Sequence, residues 1–198
     1  MPASGRPRLP AAADTVPVWD LPVRVGHWTL VAAVTVAWAS DGWLWLHVAA
    51  GEIAAVAVAL RLAWGFVGTR HARFRDFVRP PREALAYLRA IAAGDPPRHL
   101  GHNPAGGWMV LALLAAVGTT TATGLALHAA AEGAGPLAGL VPDLGPRGTA
   151  ALAAGHELLA DGVLVLAAAH VAGVLAACVQ HREDLVAALF HGRKRRTP

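Results

Sequence analysis

Four long stretches of this chain carry no charge. Residues 30–39, 53–60, 109–117 and 163–179 contain no Asp, Glu, Lys or Arg, and the charged residues crowd into the segments between them. A charge at the centre of a bilayer costs roughly 3 kcal/mol or more, so this block pattern is what the chain needs if each stretch lies in lipid. A soluble helix would carry its charges along one face instead. Charged residues make up 15% of the 198, against about 25% in a soluble domain, and the deficit is confined to these blocks. The net charge of +4 raises the question of nucleic acid. The cations flank apolar runs and form no basic stripe, which points away from nucleic acid and from a soluble bundle with a basic face.

A spanning helix needs about 20 predominantly apolar residues. Four are predicted, over 22–40, 43–67, 107–128 and 151–179, with a tight turn at Asp41-Gly42 between the first two. The expected fold class is all-α, an integral membrane four-helix bundle occupying 19–198. Residues 1–18 read as a flexible tail, with Pro2, Pro7, Pro10 and Pro17 and no cleavable signal. Orientation follows from the cations. Arg6, Arg8 and Arg24 lie before or early in the first helix, Arg61 near the end of the second, seven arginines in 69–106 and five cations after the fourth helix. Only Arg147, of 17 Lys and Arg, falls on the other side. The positive-inside rule therefore places both termini in the cytoplasm. The segment 79–94, with Arg82 and Arg89 among Leu85, Tyr87, Leu88 and Ile91, reads as a short amphipathic helix on the inner membrane surface.

Ten histidines are the chain's main chemical resource. His71, His99, His181 and His191 sit in cytoplasmic segments. His128 closes the third helix, and His102 precedes an Asn103-Pro104 helix start. The other four, His27, His47, His156 and His170, lie in apolar helices where an unpaired imidazole is costly. His156 and His170 are 14 residues apart, 40° short of four full turns, with a rise of about 21 Å. They share a face and approach opposite membrane surfaces. By depth His47 partners His156 on the outer side, and His27 partners His170 on the inner side. Two imidazoles facing across a bundle make a bis-histidine haem site, so two non-covalent haem b groups are expected with these four residues as axial ligands. The one cysteine, Cys178, excludes a CxxCH attachment and a four-cysteine iron–sulfur site. Gly51 and Gly173, one turn after His47 and His170, offer small neighbours for a flat macrocycle.

The segments WDLPVRVGHW (19–28), LHVAAGEIAAVAVALRLAWGFVG (46–68), PRHLGHNPAGGWMVL (97–111), GHELLADGVLVLAAAHVAGVL (155–175) and HREDLVAALFHGRKR (181–195) are similar to the bacterial cytochrome b561 family. That family includes the membrane b-type subunits of nickel–iron hydrogenases. The resemblance implies a four-helix di-haem cytochrome in the bacterial inner membrane, ligated by the same four histidines. It also implies electron exchange with the quinone pool or with a redox partner protein such as a hydrogenase or a cytochrome c. A homodimer is a further candidate assembly.

Arg24, one turn before His27, and Arg61, near the inner interface, are candidate partners for the propionates of the inner haem. Glu52 and Asp161, inside apolar spans, are candidates to orient a ligand or relay protons; Glu157 reads as a first-turn charge. The expected function is transmembrane electron transfer, as a carrier or as the cytochrome subunit of an oxidoreductase. Two other classes compete: a metal or proton transporter using the same histidines, which lacks the inverted repeats or broken helices of such proteins, and a cofactor-free structural or assembly subunit, which leaves the paired histidines unexplained.

Overall fold

The structure, a computed structural model, describes residues 15–40 and 42–196. The elements in chain order are β1 (Thr15–Pro17), α1 (Leu21–Ala39), α2 (Leu44–Val67), a 3-10 turn (Arg70–Ala72), α3 (Phe74–Phe77), α4 (Pro81–Ala92), α5 (Pro104–Glu132), α6 (Gly145–His181), α7 (Leu185–His191) and β2 (Arg193–Arg195). Local chemistry sets the helix starts. Asp20 accepts from the Val23 amide at 3.0 Å, ahead of Pro22, and Asn103 accepts from the Gly106 amide at 2.7 Å, ahead of Pro104. Each satisfies an amide that the first turn leaves without a partner. The ends of α5 and α7 fall at Gly133 and Gly192, both at positive φ, where glycine is unstrained.

The expected helices extend further than the apolar runs. The third begins at Pro104 and reaches Glu132; the fourth begins at Gly145 and reaches His181. At 1.5 Å per residue the 37 residues of α6 make about 55 Å, more than the ~45 Å thickness of a whole bilayer. Apolar composition marks the part of a helix suited to lipid, while the caps mark where the helix stops. Asp41 lies outside the described residues; Gly42 is in a turn. Residues 1–14 of the expected tail also lie outside them. Residues 15–17 do not continue a tail: they pair antiparallel with β2, Thr15 opposite Arg195 and Pro17 opposite Arg193.

Backbone packing runs in a row, α1 on α2, α2 on α5 and α5 on α6. Among the described residues α6 makes no comparably close backbone packing on α1 or α2. The buried centre is small, built on Ala33, Ala54, Val58, Leu114, Val117 and Val163. Alanines at these crossings let helices approach closely, the mode of association available where surrounding lipid is as apolar as the core. The outward faces are the reverse of a soluble protein's. Leu60, Phe66, Leu158, Val165 and Val179 are each two-thirds or more exposed. Three helices, α2, α5 and α6, are long and apolar enough to cross a membrane; α1, with 19 residues, is shorter.

One carboxylate ties the start of α1 to the end of α2. Besides capping α1, Asp20 accepts from Trp64 Nε1 at 2.9 Å and from Thr69 Oγ1 at 2.7 Å. Burial pushes its pKa up, but the hydrogen bonds from Thr69, Val23 and Trp64 outweigh that and hold it below the ordinary aspartate value. Asp20→Ala is expected to lower stability by about 1–3 kcal/mol through the lost cap and the two orphaned donors, read as a fall in thermal unfolding midpoint in detergent. Because the folded state favours the carboxylate, the wild-type advantage over Asp20→Ala should be complete above the unfolded aspartate pKa of about 4. It should fade as pH falls through the lower folded value.

Candidate functional site: two facing histidine pairs

The structure brings four histidines together in twos. His47 on α2 faces His156 on α6 with ring centres 6.0 Å apart and planes at 77°. His27 on α1 faces His170 on α6 with centres 6.3 Å apart and planes at 51°. Both pairs span the side of the row where α6 does not pack closely on its partner helix. The two members contributed by α6 are 14 residues apart, a separation of about 21 Å along the axis. Metal–imidazole bonds of about 2 Å put two opposed ligating nitrogens about 4 Å apart, and their ring centres about 6 Å apart. Both pairs stand at that separation. Among the described residues no three or more His, Cys, Asp or Glu side chains converge, whereas a closed tetrahedral metal site needs four ligands and a catalytic zinc site three.

The first pair has its proton positions set by neighbours. His47 Nδ1 lies 2.9 Å from the Ala37 carbonyl, and His156 Nδ1 lies 3.0 Å from the Thr120 carbonyl. A carbonyl only accepts, so each Nδ1 carries the hydrogen and each Nε2 keeps its lone pair for an electrophile. Backbone carbonyls are a common outer partner of metal-bound histidine for this reason. The Ala37 carbonyl lies in the last turn of α1, where it also accepts from the Ser40 amide at 3.4 Å and the Ser40 hydroxyl at 3.3 Å. The Thr120 carbonyl is mid-helix, and Gly124 uncovers it. A Cβ at Gly124 would stand 2.8 Å from His156 Cε1. Thr123 Oγ1 adds a contact to His156 Nδ1 at 3.2 Å. Gly124 was not legible as a site residue, since nothing in its own surroundings on α5 sets it apart from the chain's other glycines.

The second pair is built differently. Neither His27 nor His170 has a ring hydrogen bond among the described residues, and His27 Nδ1 is buried. Its setting is aromatic. Trp28 stands edge-on to His27 at 5.1 Å and stacks on Phe190 of α7 at 4.4 Å.

The other predicted residues fall as follows. Cβ atoms at Gly51 and Gly173 would meet nothing within 4 Å, so these glycines face open space. Arg24 donates from Nε to the Leu189 carbonyl at 3.1 Å and from a terminal nitrogen to that of Phe190. Arg61 lies over Phe74 and Phe77, at 5.4 and 5.9 Å. It makes no ion pair among the described residues, and one of its terminal nitrogens is buried without a hydrogen bond. Glu52 lines an open groove with Trp45, Val48 and His128. Asp161 and Glu157 are exposed on α6. Cys178 is half-buried and receives the Leu185 amide at 3.4 Å.

His102, read from sequence as an ordinary helix-start residue, is packed between Trp19 and Phe77, with ring centres 4.7 and 4.6 Å away. Burial first, then the nearby Arg61 charge, pushes its pKa down to about 3. It should stay neutral across about pH 5 to 8. In nitrogen NMR of histidine-labelled protein, one imidazole should hold neutral shifts over that range and lose its resonance in His102→Phe.

Comparison with known proteins shows the family. The sequence model of the family described as prokaryotic cytochrome b561 matches residues 18–192. A probable Ni/Fe-hydrogenase B-type cytochrome subunit of Bradyrhizobium diazoefficiens is 29% identical over 66% of this chain and 62% of its own length. A protein of the same description from Rhodobacter capsulatus is 28% identical over 91% of this chain and 81% of its own length. The chain thus spans less than two thirds of the first relative. No solved structure matches.

Proposed function

The chain belongs to the prokaryotic cytochrome b561 family, and on that premise we propose that it is a membrane di-haem cytochrome carrying electrons between the two faces of the bacterial inner membrane. The observation that carries this is the pair of histidine couples, each with ring centres about 6 Å apart and set at two depths. His47 and His156 hold one haem b, and His27 and His170 hold the other. Bound between two imidazoles, haem supplies reversible one-electron oxidation and reduction, with no open coordination position. The protein's part is to fix the ligands. The Ala37 and Thr120 carbonyls hold two imidazoles in the ligating tautomer, and Gly124 lets His156 sit where it does. Gly51 leaves space beside His47 for a flat group. Of the two predicted propionate partners Arg61 is the better placed, since the Arg24 guanidinium is already bonded to the α7 carbonyls.

All four long helices span in this reading. The rise of α1, about 28 Å, matches the ~30 Å hydrocarbon core. Both termini are cytoplasmic, as the bias of Lys and Arg requires. The pairing of β1 with β2 supports a shared side. The basic segment between α2 and α5 joins them there, through the Arg98–Glu183 ion pair at 2.9 Å. In α4, Ala84 and Tyr87 face inward, Leu85 and Leu88 are exposed, and Arg82 and Arg89 flank the exposed side. That suits a helix lying at the inner interface. The electron partners we propose are the quinone pool and a redox protein. The relatives' descriptions as hydrogenase subunits favour a hydrogenase as the latter.

The purified protein should contain two haem b per chain, with a low-spin spectrum that carbon monoxide barely alters. His47→Ala and His156→Ala should each remove or convert to high spin the same haem, with the double variant little worse than either. His27→Ala and His170→Ala should act on the other haem. Haem per protein and the two midpoint potentials are the measurements, and a folded, colourless protein would refute the assignment. Gly124→Val should reproduce the His156→Ala phenotype, because its side chain occupies the imidazole's place.

A further inference from the structure

We propose that the α7–β2 segment is a positioning device for the His27–His170 pair alone, acting through Arg24, Phe190 and Gly192. The proposal rests on the two-haem reading above. Its starting point is an asymmetry between the couples. Through packed helices, His47 reaches His156 by way of α2, α5 and α6, and both imidazoles are anchored to backbone carbonyls. His27 reaches His170 through the closer backbone contacts by way of α1, α2, α5 and α6, the full length of the row, and neither ring has a hydrogen bond among the described residues. Packing alone therefore leaves this second separation the less constrained of the two.

The chain closes that gap from below. After His181 the backbone turns at Arg182, which takes a left-handed conformation at φ 50°. The Glu183 amide bonds back to the Cys178 carbonyl at 3.2 Å, a helix-ending motif that redirects the chain. Helix α7 then runs to the first turns of α1. There Arg24 donates to the Leu189 and Phe190 carbonyls, and the Gly192 carbonyl accepts from the Val18 and Trp19 amides at 2.8 and 3.1 Å. Strand β2 pairs with β1. Phe190 stacks on Trp28, whose ring stands edge-on to His27. The extension of α6 is thus fastened to the turn of α1 that carries His27. It spans the two helices that backbone packing leaves apart. Gly192 is the tightest point: its φ is +81°, and a Cβ there would lie 2.5 Å from the Trp19 carbonyl oxygen. Any side chain at 192 pushes the segment off α1.

The experiment uses the full-length, haem-loaded protein. Gly192→Ala, Phe190→Ala and Phe190→Tyr are compared with wild type and His27→Ala by electron paramagnetic resonance of the ferric haems and by redox titration. Phe190→Ala leaves the backbone intact, so it remains readable if Gly192→Ala does not accumulate. The expected result for both alanine variants is a changed low-spin signal and a shifted midpoint for one haem, the one His27→Ala removes. The other haem keeps its signal and midpoint, and Phe190→Tyr, which retains the stack, behaves as wild type. Unchanged spectra in both alanine variants would overturn the proposal. So would equal loss or shift of both haems, which would make the segment a general stabiliser. If wild type lacks two low-spin haems, the two-haem reading itself falls, and the inference with it.

Discussion

An imidazole held in a poorly solvated slot must commit both of its nitrogens. One is spoken for by the site it serves, and the fold has to supply a partner or a tight enclosure for the other. This requirement organises the structure. For His47 the partner is the Ala37 carbonyl in the last turn of α1. For His156 it is a mid-helix carbonyl, reached because position 124 has no side chain. For His27 it is enclosure: Nδ1 is buried beside Trp28, and that tryptophan is itself held by Phe190. Three neighbouring elements, α1, α5 and α7, are thereby recruited to the service of histidines they do not carry.

The same requirement explains why the bundle is loose where a soluble bundle would be tight. A core of alanines and valines packs α1, α2 and α5 closely, while α6 stands back from α1 and α2 along the face where the imidazoles meet. Large apolar side chains that would fill such an opening point outward instead, as Leu158, Val165 and Val179 do on α6. Outside water, that arrangement carries no hydrophobic penalty.

Much of this was legible in the sequence. Charge-free runs located the four long helices, Asn103-Pro104 marked the start of α5, and a helical period of 100° set His156 and His170 on one face. What stayed hidden has physical reasons. Residues 15–17 have no strand signature of their own, because a three-residue strand exists only through its partner at 193–195. Apolarity alone did not mark the ends of α5 and α6: α5 continues through Ala129–Ala131 to Glu132, and α6 begins at Gly145, six residues before its predicted start. Arg24, a candidate propionate partner by sequence, also bonds two backbone carbonyls 165 and 166 residues away. Gly124 resembles every other helical glycine until the imidazole beside it is seen. Contacts across long sequence separations are what a local pattern cannot contain.

The antiparallel pairing of Thr15–Pro17 with Arg193–Arg195 has a bearing on biogenesis. Synthesis proceeds from the amino end, and segments fold as they become available. On the proposed reading, helices α1 and α2 therefore wait in the bilayer while the later helices are made. His47 can meet His156 as soon as the first half of α6 has been inserted. The hook that joins α6 to α1 closes across 178 positions and must wait for the strand at 193–195 to leave the ribosome. On the proposed two-haem reading, assembly of the two centres is therefore ordered in time, the one nearer the start of α6 forming before strand β2 is made and the other only after it.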